Sequence, residues 1–333
     1  MSILPIFLPQ MGCKRKCIFC DQRSATGITN APSLYDLDEK VKDYKRISQQ
    51  FEIAFYGGTF TALPYAVQLS YLEWAKRYID EGVCKGIRIS TRPDEISEEK
   101  IIFLKRFRVS FVEIGAQSFD EDVLRASKRG HTVEDIERAC QILRDLSVDF
   151  GIHLMIGLPN DDRSKDIHSA WEVVEVGAKT CRIHPTLVLR DSGLAKLYSA
   201  GQYQPLSLEE AIEISSEMTG ILEANNVRVI RIGLFIPNEL QSNVIAGPYH
   251  PRFGELVKIK LLEQVIDFLK PQEISYTNKQ ESIMRALGLK GIVGNCFGFV
   301  VNDEFLEWKD ALKKCFGGVK GVRETEERCT TTN

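Results

Sequence analysis

The feature that most restricts the fold of this 333-residue chain is an alternation of short β-rich runs with longer amphipathic stretches. The predicted strands are residues 3–8, 51–56, 87–91, 109–115, 150–157 and 181–189. The predicted helices between them are residues 35–49, 64–81, 95–107, 119–128, 133–147 and 164–177. Near-continuous apolar strands alternating with helices are typical of a parallel sheet covered by helices. About six such units predict an α/β fold, a partial TIM-type (β/α) barrel, with a flat doubly wound sheet as the alternative.

Beyond residue 190 the alternation weakens, and the sequence predicts a small C-terminal extension. A helix is predicted over 207–224, a strand over 227–235 and a short hairpin over 294–305, while the segment 246–257 leads into a further helix. We therefore expect a core domain over residues 1–235 and an extension over 236–322 that packs on the barrel. The polar tail, 323–333, is predicted to be disordered.

The composition of the chain and its lack of recognisable targeting signals restrict the class of protein that we expect. The net charge of −3 and the 44% hydrophobic content are ordinary for a globular chain and indicate no broad basic surface. The apolar start is interrupted by Pro5 and Pro9 and is too short for a signal peptide. No later run approaches the roughly 18 apolar residues that span a bilayer. We expect a cytoplasmic protein that does not bind membranes and whose nine cysteines stay reduced.

The predicted strand ends carry unusual residues, and in parallel α/β folds the functional residues lie at the carboxyl ends of the strands. These ends read GGTF (57–60), STRPD (90–94), GAQSF (115–119), GLPNDD (157–162) and HPT (184–186). A cluster of cysteines follows the first predicted strand. The sequence therefore places this cluster on the same rim as the five strand ends.

The cysteine cluster consists of Cys13, Cys17 and Cys20, separated by the basic residues 14–16 and by Ile18 and Phe19. Four interpretations stand: chance, a structural zinc site, a thioredoxin-like redox pair at Cys17 and Cys20, and an iron–sulfur cluster. Zinc usually takes four ligands in pairs, and a redox pair leaves Cys13 unexplained. An iron–sulfur cluster held by three thiolates leaves one iron open to a small molecule. The neighbouring basic residues would lower the thiolate pKa values.

The spacing CxxxCxxC, with an aromatic residue before the third cysteine, resembles the signature of the radical S-adenosylmethionine (SAM) superfamily. Further similarity is carried by the segments YGGTFT (56–61), STRPDEI (90–96), VEIGAQSF (112–119), RGHT (129–132), MIGLP (155–159) and HPTLVLRDSGL (184–194). Together these segments resemble the branch that contains the catalytic subunit of Elongator, which modifies the wobble uridine of transfer RNA. They are also similar, less closely, to oxygen-independent coproporphyrinogen dehydrogenases.

The resemblance implies one 4Fe–4S cluster bound by Cys13, Cys17 and Cys20, with SAM bound at the open iron. Reductive cleavage of SAM would then release a 5′-deoxyadenosyl radical that abstracts hydrogen from the substrate. The resemblance also implies a low-potential electron donor of the ferredoxin or flavodoxin type. A transfer-RNA base is the expected substrate. A small molecule, porphyrin-like or other, is the alternative, and a non-catalytic zinc-binding module is the third hypothesis.

The resemblance further implies which residues contact SAM: Phe19, Gly57, Gly58, Thr59, Ser90, Gln117, Arg129, His153 and His184. Glycines 57 and 58 would let backbone carbonyls approach the SAM ammonium, unless the segment is an ordinary turn. Arg129 would pair with the carboxylate of SAM, unless it is a solvated residue on a helix face. His153 would touch the ribose or be a satisfied core imidazole, and His184 is expected to be exposed beyond its strand.

Two departures from the family pattern limit the resemblance. Relatives commonly carry a carboxylate where Ser90 stands, so this serine would hold a ribose only weakly. The sequence contains neither the acetyltransferase-like domain nor the second, cysteine-rich metal site of Elongator catalytic subunits, and no CxxC follows Cys20. Acetyl-CoA is therefore not an expected cosubstrate, and a second iron–sulfur cluster of the methylthiotransferase kind is not expected either.

Overall fold

The computed structural model of the chain describes residues 2–318, and its main body is a seven-stranded parallel sheet. The strands are β1 (Ser2–Phe7), β2 (Phe51–Tyr56), β3 (Cys84–Thr91), β4 (Val109–Gln117), β5 (Asp149–Ile156), β6 (Thr180–Pro185) and β8 (Arg228–Ile232). Their order in the sheet is β1-β2-β3-β4-β5-β6-β8, which follows the sequence without reversal. Sequential parallel strands form a barrel wall, whereas the strand order of a doubly wound sheet reverses. The predicted partial barrel is confirmed, as a curled half-barrel with seven strands instead of six.

Helices connect the strands and cover the outside of the sheet. They are α1 (Gln22–Thr26), α2 (Leu34–Ile47), α3 (Tyr65–Asp80), α4 (Glu98–Lys105), α5 (Glu121–Ala126), α6 (Val133–Asp145), α7 (Arg163–Glu175), α8 (Gly193–Ser199) and α9 (Leu208–Ala224). Reciprocal capping boxes at Ser33 and Thr132 satisfy the first backbone amides of α2 and α6 and define where these helices begin. The predicted helices differ from the observed ones by only a few residues at each end.

The two faces of the sheet differ in chemistry because side chains alternate along a strand. The residues that face the helices are apolar and almost fully buried, for example Phe55 on β2 and Ile152 on β5. The residues on the concave face include Tyr56, Glu113 and Arg182, which line a cavity. The concave face is therefore polar, although the strands read as nearly continuous apolar runs.

One predicted strand is interrupted. The run 181–189 ends as β6 at Pro185 and resumes as the two-residue strand β7 (Val188–Leu189), which pairs antiparallel with β9 (Val244–Ala246). At the break, Thr186 donates from its backbone amide and its hydroxyl to the Ile156 carbonyl at the end of β5. These two bonds turn the chain away from the sheet.

The C-terminal part contains α10 (Phe253–Leu269), β10 (Glu273–Tyr276), α11 (Glu281–Ala286), β11 (Ile292–Val293), β12 (Gly298–Val301), β13 (Glu304–Glu307) and α12 (Trp308–Phe316). Strands β12 and β13 form the predicted hairpin, and α9 packs against α7, α10 and α12. The boundary at residue 235 stays a prediction, and the predicted tail, 323–333, lies outside the described residues. Within residues 2–318, no helix combines the length and apolar character that crossing a membrane requires.

Candidate active site

A cavity of about 660 Å³ opens at the carboxyl ends of the parallel strands. This volume suits a ligand of the size of a nucleoside or a drug. All twelve residues that the sequence analysis selected line this cavity: Cys13, Cys17, Phe19, Cys20, Gly57, Gly58, Thr59, Ser90, Gln117, Arg129, His153 and His184. They come from the loop after β1, from strands or strand ends of β2 to β6 and, for Arg129, from the loop between α5 and α6. The fold brings them together, while their individual roles stay predictions.

The loop after β1 docks closely on the turn after β2. The Thr59 amide donates to the Met11 carbonyl over 2.8 Å. A Cβ at Gly58 would lie 2.2 Å from the same carbonyl oxygen, and a Cβ at Gly12 would lie 2.3 Å from the Thr59 carbonyl oxygen. Only glycine permits two backbones to approach this closely. The GGT segment is therefore more than an ordinary turn, because it fixes the loop that carries Cys13.

The three thiols border the cavity in different environments. Cys13 is exposed and its Sγ lies 3.3 Å from Thr59 Oγ1, Cys17 is buried, and Cys20 is half-buried. Burial, together with the charges of Cys17 and Cys13, raises the pKa of Cys20 to about 11. Three adjacent thiolates repel one another, so this set needs positive charge to be ionised together. Iron supplies that charge, and the donor set therefore fits a thiolate-bound cluster.

The spacing of the thiols also bears on the zinc interpretation. Among the described residues, no three Cys, His, Asp or Glu side chains converge closely enough to hold a single metal ion. In a cluster each thiolate binds a different iron, so the sulfur atoms stand farther apart than around one ion. The described side chains therefore do not form a mononuclear metal site as they stand.

Arg129 connects the cysteine loop to the sheet. Its Nη1 atom donates to Cys17 Sγ over 2.9 Å, and its Nη2 atom donates to the Gly115 carbonyl on β4. The Arg129 carbonyl accepts a 2.6 Å bond from Arg92, which also binds Asp94 in a bidentate pair at 2.9 Å. Arg129 is only 6% exposed, so the interpretation of a solvated arginine is wrong.

Gln117, at the end of β4, has an unusual backbone. Its φ of 77° lies in the left-handed region, which non-glycine residues rarely adopt. The side chain is buried, and its Oε1 atom has no hydrogen-bond partner within residues 2–318. A strained, buried residue with an unpaired acceptor at a cavity wall is typical of a ligand-binding position. The Nε atom of Arg129 is a second buried and unpaired polar atom at this wall.

A buried ionic cluster forms the wall beside Ser90, and sequence reasoning missed it. Glu113 is the register neighbour of Ser90, and it accepts bonds from Tyr56 Oη at 2.7 Å and Arg182 Nη2 at 2.9 Å. Arg88 contributes a third contact at 3.3 Å and also pairs with Glu52 at 3.2 Å. A carboxylate thus lies next to Ser90, but these three contacts already engage it. Alternate lumen-facing positions on β2, β3, β4 and β6 were the signal that could have revealed the cluster.

His153 and His184 form a direct pair on neighbouring strands. His153 Nε2 lies 2.9 Å from His184 Nδ1, and the rings meet edge to face. Burial, followed by nearby positive charge, lowers the pKa of His153 to about 3 and that of His184 well below its usual value. Both rings are therefore neutral at pH 7. The prediction that His184 is exposed beyond its strand is wrong, because this residue lies within β6 and its Nε2 atom is buried without a partner among the described residues.

Asp161, in the loop after β5, and Asp166, in the first turn of α7, are two facing carboxyls. Burial raises the pKa of Asp161 to about 6, and burial together with the charge of Asp161 raises the pKa of Asp166 well above its usual range. The Oδ2 atom of Asp166 has no donor among residues 2–318. A proton shared between the two carboxyls would satisfy this atom. Tyr203 donates to the Gly157 carbonyl at 2.6 Å and holds the same loop.

Comparison with known protein families shows to which superfamily this chain belongs. The family model of the radical SAM superfamily matches residues 7–170, which include the three cysteines and β2 to β5. The chain belongs to the radical SAM superfamily. The model of the radical SAM C-terminal domain matches residues 178–263. This radical SAM enzyme therefore carries both parts in order, and its membership favours the iron–sulfur interpretation of the cysteines over zinc and over a redox pair.

Within the superfamily, the chain is most informatively compared with characterised proteins of similar sequence. The chain is 30% identical, over 288 residues, to the tRNA uridine(34) acetyltransferase of Methanocaldococcus jannaschii, covering 73% of this chain and 52% of the archaeal protein. It is 28% identical over 243 residues to human Elongator complex protein 3, covering 67% of this chain and 44% of the human protein. The chain thus spans about half the length of the curated relatives that it matches.

A solved structure supports the fold. The archaeal Methanocaldococcus infernus Elp3 with an N-terminal deletion superposes with a TM-score of 0.67 at 24% identity. The superposition covers 79% of this chain and 63% of the archaeal one. At this identity the likeness concerns the fold, and it agrees with the half-barrel of a radical SAM protein.

Proposed function

We propose that this radical SAM enzyme holds one 4Fe–4S cluster on Cys13, Cys17 and Cys20, binds SAM in the adjoining cavity and modifies a base of transfer RNA. When bound, the cluster supplies the electron that cleaves SAM to a 5′-deoxyadenosyl radical. The observation that carries the proposal is the presence of the three thiols and of residues from β2 to β6 around a single cavity. The rest of the chemistry depends on how this chain orients its ligands.

The protein's own residues prepare the site in two ways. The close approach of residues 11–12 to residues 58–59 holds the cysteine loop against the sheet, so the positions of the thiols depend on the fold and not on the cluster alone. Arg129 places a positive charge against Cys17 and thereby reduces the repulsion among the thiolates. In this proposal Arg129 supports the cluster side of the site first, and its unpaired Nε atom remains available to a ligand.

The SAM side of the cavity offers polar atoms that need partners. Gln117 Oε1 is buried and unpaired among the described residues, and an ammonium group could donate to it. Gly57 has a φ of 96°, which other residues rarely adopt, and its carbonyl accepts one bond from the Gln10 amide at 3.1 Å, which leaves a second lone pair for a ligand. The neutral histidine pair and Met155 line the same cavity from β5 and β6, beside Gln117 in strand register, and limit water there without adding charge. A dry cavity protects a reactive radical from side reactions.

Transfer RNA is the proposed substrate because the similar proteins are named for acting on transfer-RNA uridine 34 or for the Elongator complex. The cavity is open enough to admit a base that has left its stack, as modifying enzymes require. Lys14, Arg15 and Lys16 line the cavity next to the cysteines and could meet phosphates. An external low-potential donor of the ferredoxin or flavodoxin type would reduce the cluster.

The test is anaerobic reconstitution followed by reduction in the presence of SAM. We expect about four irons and four sulfides per chain, and formation of 5′-deoxyadenosine. Cys17→Ala should lose both the cluster and the product, whereas Cys296→Ala, an exposed cysteine outside the cavity, should keep both. Equal product from the parent and from Cys17→Ala would refute the cluster assignment. Transfer-RNA binding measured across a salt series tests the substrate, and binding that is absent or independent of salt would exclude an RNA substrate.

A further inference from the structure

One part of the cavity wall is not explained by the cluster or by SAM. Strand β8 and the segment after it contribute Arg231, Leu234 and Phe235 to the lining. None of these residues belongs to the strand ends that the sequence analysis selected. They lie beyond β6 in the sheet, whereas the residues expected to bind SAM come mainly from the loops after β1 and β2 and from β3 and β4.

Arg231 lines the cavity but has no side-chain partner within residues 2–318, unlike Arg129 and Arg182 in the same cavity. Arg88 and Arg182 are both bound to Glu113, and Arg129 contacts Cys17. No hydrogen bond or ion pair joins Arg231 to another side chain within residues 2–318, and its nearest charged neighbour is Arg182, across the strand register. The side chain of Arg231 is exposed at the cavity, where desolvation and the like charge of Arg182 lower its pKa. An unpaired guanidinium in a cavity is a site for an anion.

Phe235 is 70% exposed at the same wall, although the chain on both sides of it is held firmly. Two residues earlier, the Gly233 amide donates to the Ile183 carbonyl at 2.9 Å, and a Cβ at Gly233 would lie 3.0 Å from Phe253. The next residue, Ile236, is fully buried, and its carbonyl accepts a 3.2 Å bond from Tyr249 Oη. The exposure of the ring is thus a property of an anchored segment. Exposed aromatic rings beside a positive charge are the usual platform for unstacked bases.

We propose that the wall formed by β8 and residues 233–235 is a subsite for single-stranded RNA, in which Arg231 binds a phosphate and Phe235 stacks on a base. This inference rests on the proposed transfer-RNA function and adds the residues that would recognise the strand. The subsite would hold the nucleotide segment at the cavity mouth while the target base enters toward the cysteines. This subsite would favour RNA over a neutral small molecule, because a neutral molecule has no phosphate for Arg231 to bind.

The experiment measures binding of an unmodified transfer-RNA transcript to the reconstituted full chain at several salt concentrations. Arg231→Gln should weaken binding and reduce the slope of log K against log salt by about one. Phe235→Ala should lower affinity roughly 5- to 100-fold with the slope unchanged, and Phe235→Trp should restore it. The matched controls are Arg228→Gln, on the same strand but outside the cavity lining, and Phe268→Ala, an exposed phenylalanine on α10. Both controls should bind like the parent.

The outcomes separate this inference from the proposed function. If the parent shows no salt-dependent binding of transfer RNA, the proposed substrate fails and the subsite fails with it. If the parent binds and both cavity variants match it in affinity and slope, the transfer-RNA function stands and the subsite is refuted. Because Arg231 and Phe235 are exposed, their replacement should leave the thermal unfolding midpoint unchanged, so lost binding is not explained by lost folding.

Discussion

The Nη1 atom of Arg129 lies 2.9 Å from the Sγ atom of Cys17, which joins residues 112 positions apart in the sequence. The same guanidinium reaches the Gly115 carbonyl, so one side chain ties the cysteine loop to the fourth strand of the barrel. Charge and position are both involved, since the guanidinium offsets a thiolate and also limits where it can lie. Outer partners of metal ligands commonly change affinity or activity 10- to 100-fold when they are mutated.

Replacing Arg129 by lysine should therefore lower activity although the charge is kept. An ammonium group is a point donor and cannot span the thiol and the carbonyl as the planar fork does. We expect iron content to fall and the rate of 5′-deoxyadenosine formation to drop by roughly 10-fold or more. Arg125→Lys, on the exposed face of α5, is the control and should behave like the parent. Unchanged iron and rate in Arg129→Lys would show that charge alone matters.

Gly58→Ala should disturb the docking of the cysteine loop. The new Cβ would meet the Met11 carbonyl oxygen at 2.2 Å and the Leu8 carbonyl oxygen at 2.8 Å, and backbone atoms cannot move aside as a flexible side chain can. We expect a loss of about 2 kcal/mol or more in the free energy of unfolding, together with poorer iron retention. Urea denaturation and iron analysis measure the two effects. Gly318→Ala, where a Cβ meets nothing within 4 Å, should leave both unchanged.

Glu113→Gln should destabilise the barrel. The substitution leaves Arg88 and Arg182 with one fewer negative charge in a buried environment, and breaking a buried ion pair from one side costs about 3–5 kcal/mol. The midpoint of urea denaturation reports this loss. Asp43→Asn removes half of an exposed pair with Arg46 and should change the free energy of unfolding by less than about 0.5 kcal/mol. If the two variants lost similar amounts of free energy of unfolding, the ionic cluster around Glu113 would be solvated.

The facing carboxyls Asp161 and Asp166 predict a pH dependence of stability. Their pKa values are raised in the folded protein, so the folded state binds more protons than the unfolded chain between about pH 4 and 6. The stabilisation is complete below the unfolded pKa values and is lost as the pH rises through the folded ones. Asp166→Asn should therefore be more stable than the parent at neutral pH, by on the order of 1 kcal/mol, and equal to it near about pH 4.

Thermal unfolding at several pH values tests this sign. Asp80→Asn, in an exposed pair with Lys76, is the control and should follow the pH profile of the parent. If Asp166→Asn loses stability most strongly at neutral pH, the two carboxyls do not share a proton, and the ionised pair is instead stabilised by groups around it.

Much of the barrel and of the cysteine site was predictable because both depend on residues that lie close together in the sequence. Strands β2 and β4 follow from short β-rich runs, and the Cys13–Cys20 spacing is contained in eight residues. The rule that functional residues follow the ends of parallel strands then selects the segments of Gly58 and Gln117, whereas Arg129 was selected only by the family resemblance. The predicted and observed ends of the helices differ by a few residues. Hydrophobic periodicity locates a helix only roughly, whereas a capping residue such as Ser33 fixes its first residue through contacts that span only three residues.

The sequence by itself determined the alternation of strands and helices, the thiol set and the strand ends that surround it. Only the tertiary structure decided that the concave face carries a charged cluster, that Arg129 binds Cys17 and that Arg231 has no counter-ion among residues 2–318. Such contacts depend on strand register and curvature, since a side chain finds its partner across strands that are far apart in sequence. The local alternation of side chains along a strand determines which face of the sheet a residue occupies. The curvature of the half-barrel determines which residue it contacts there.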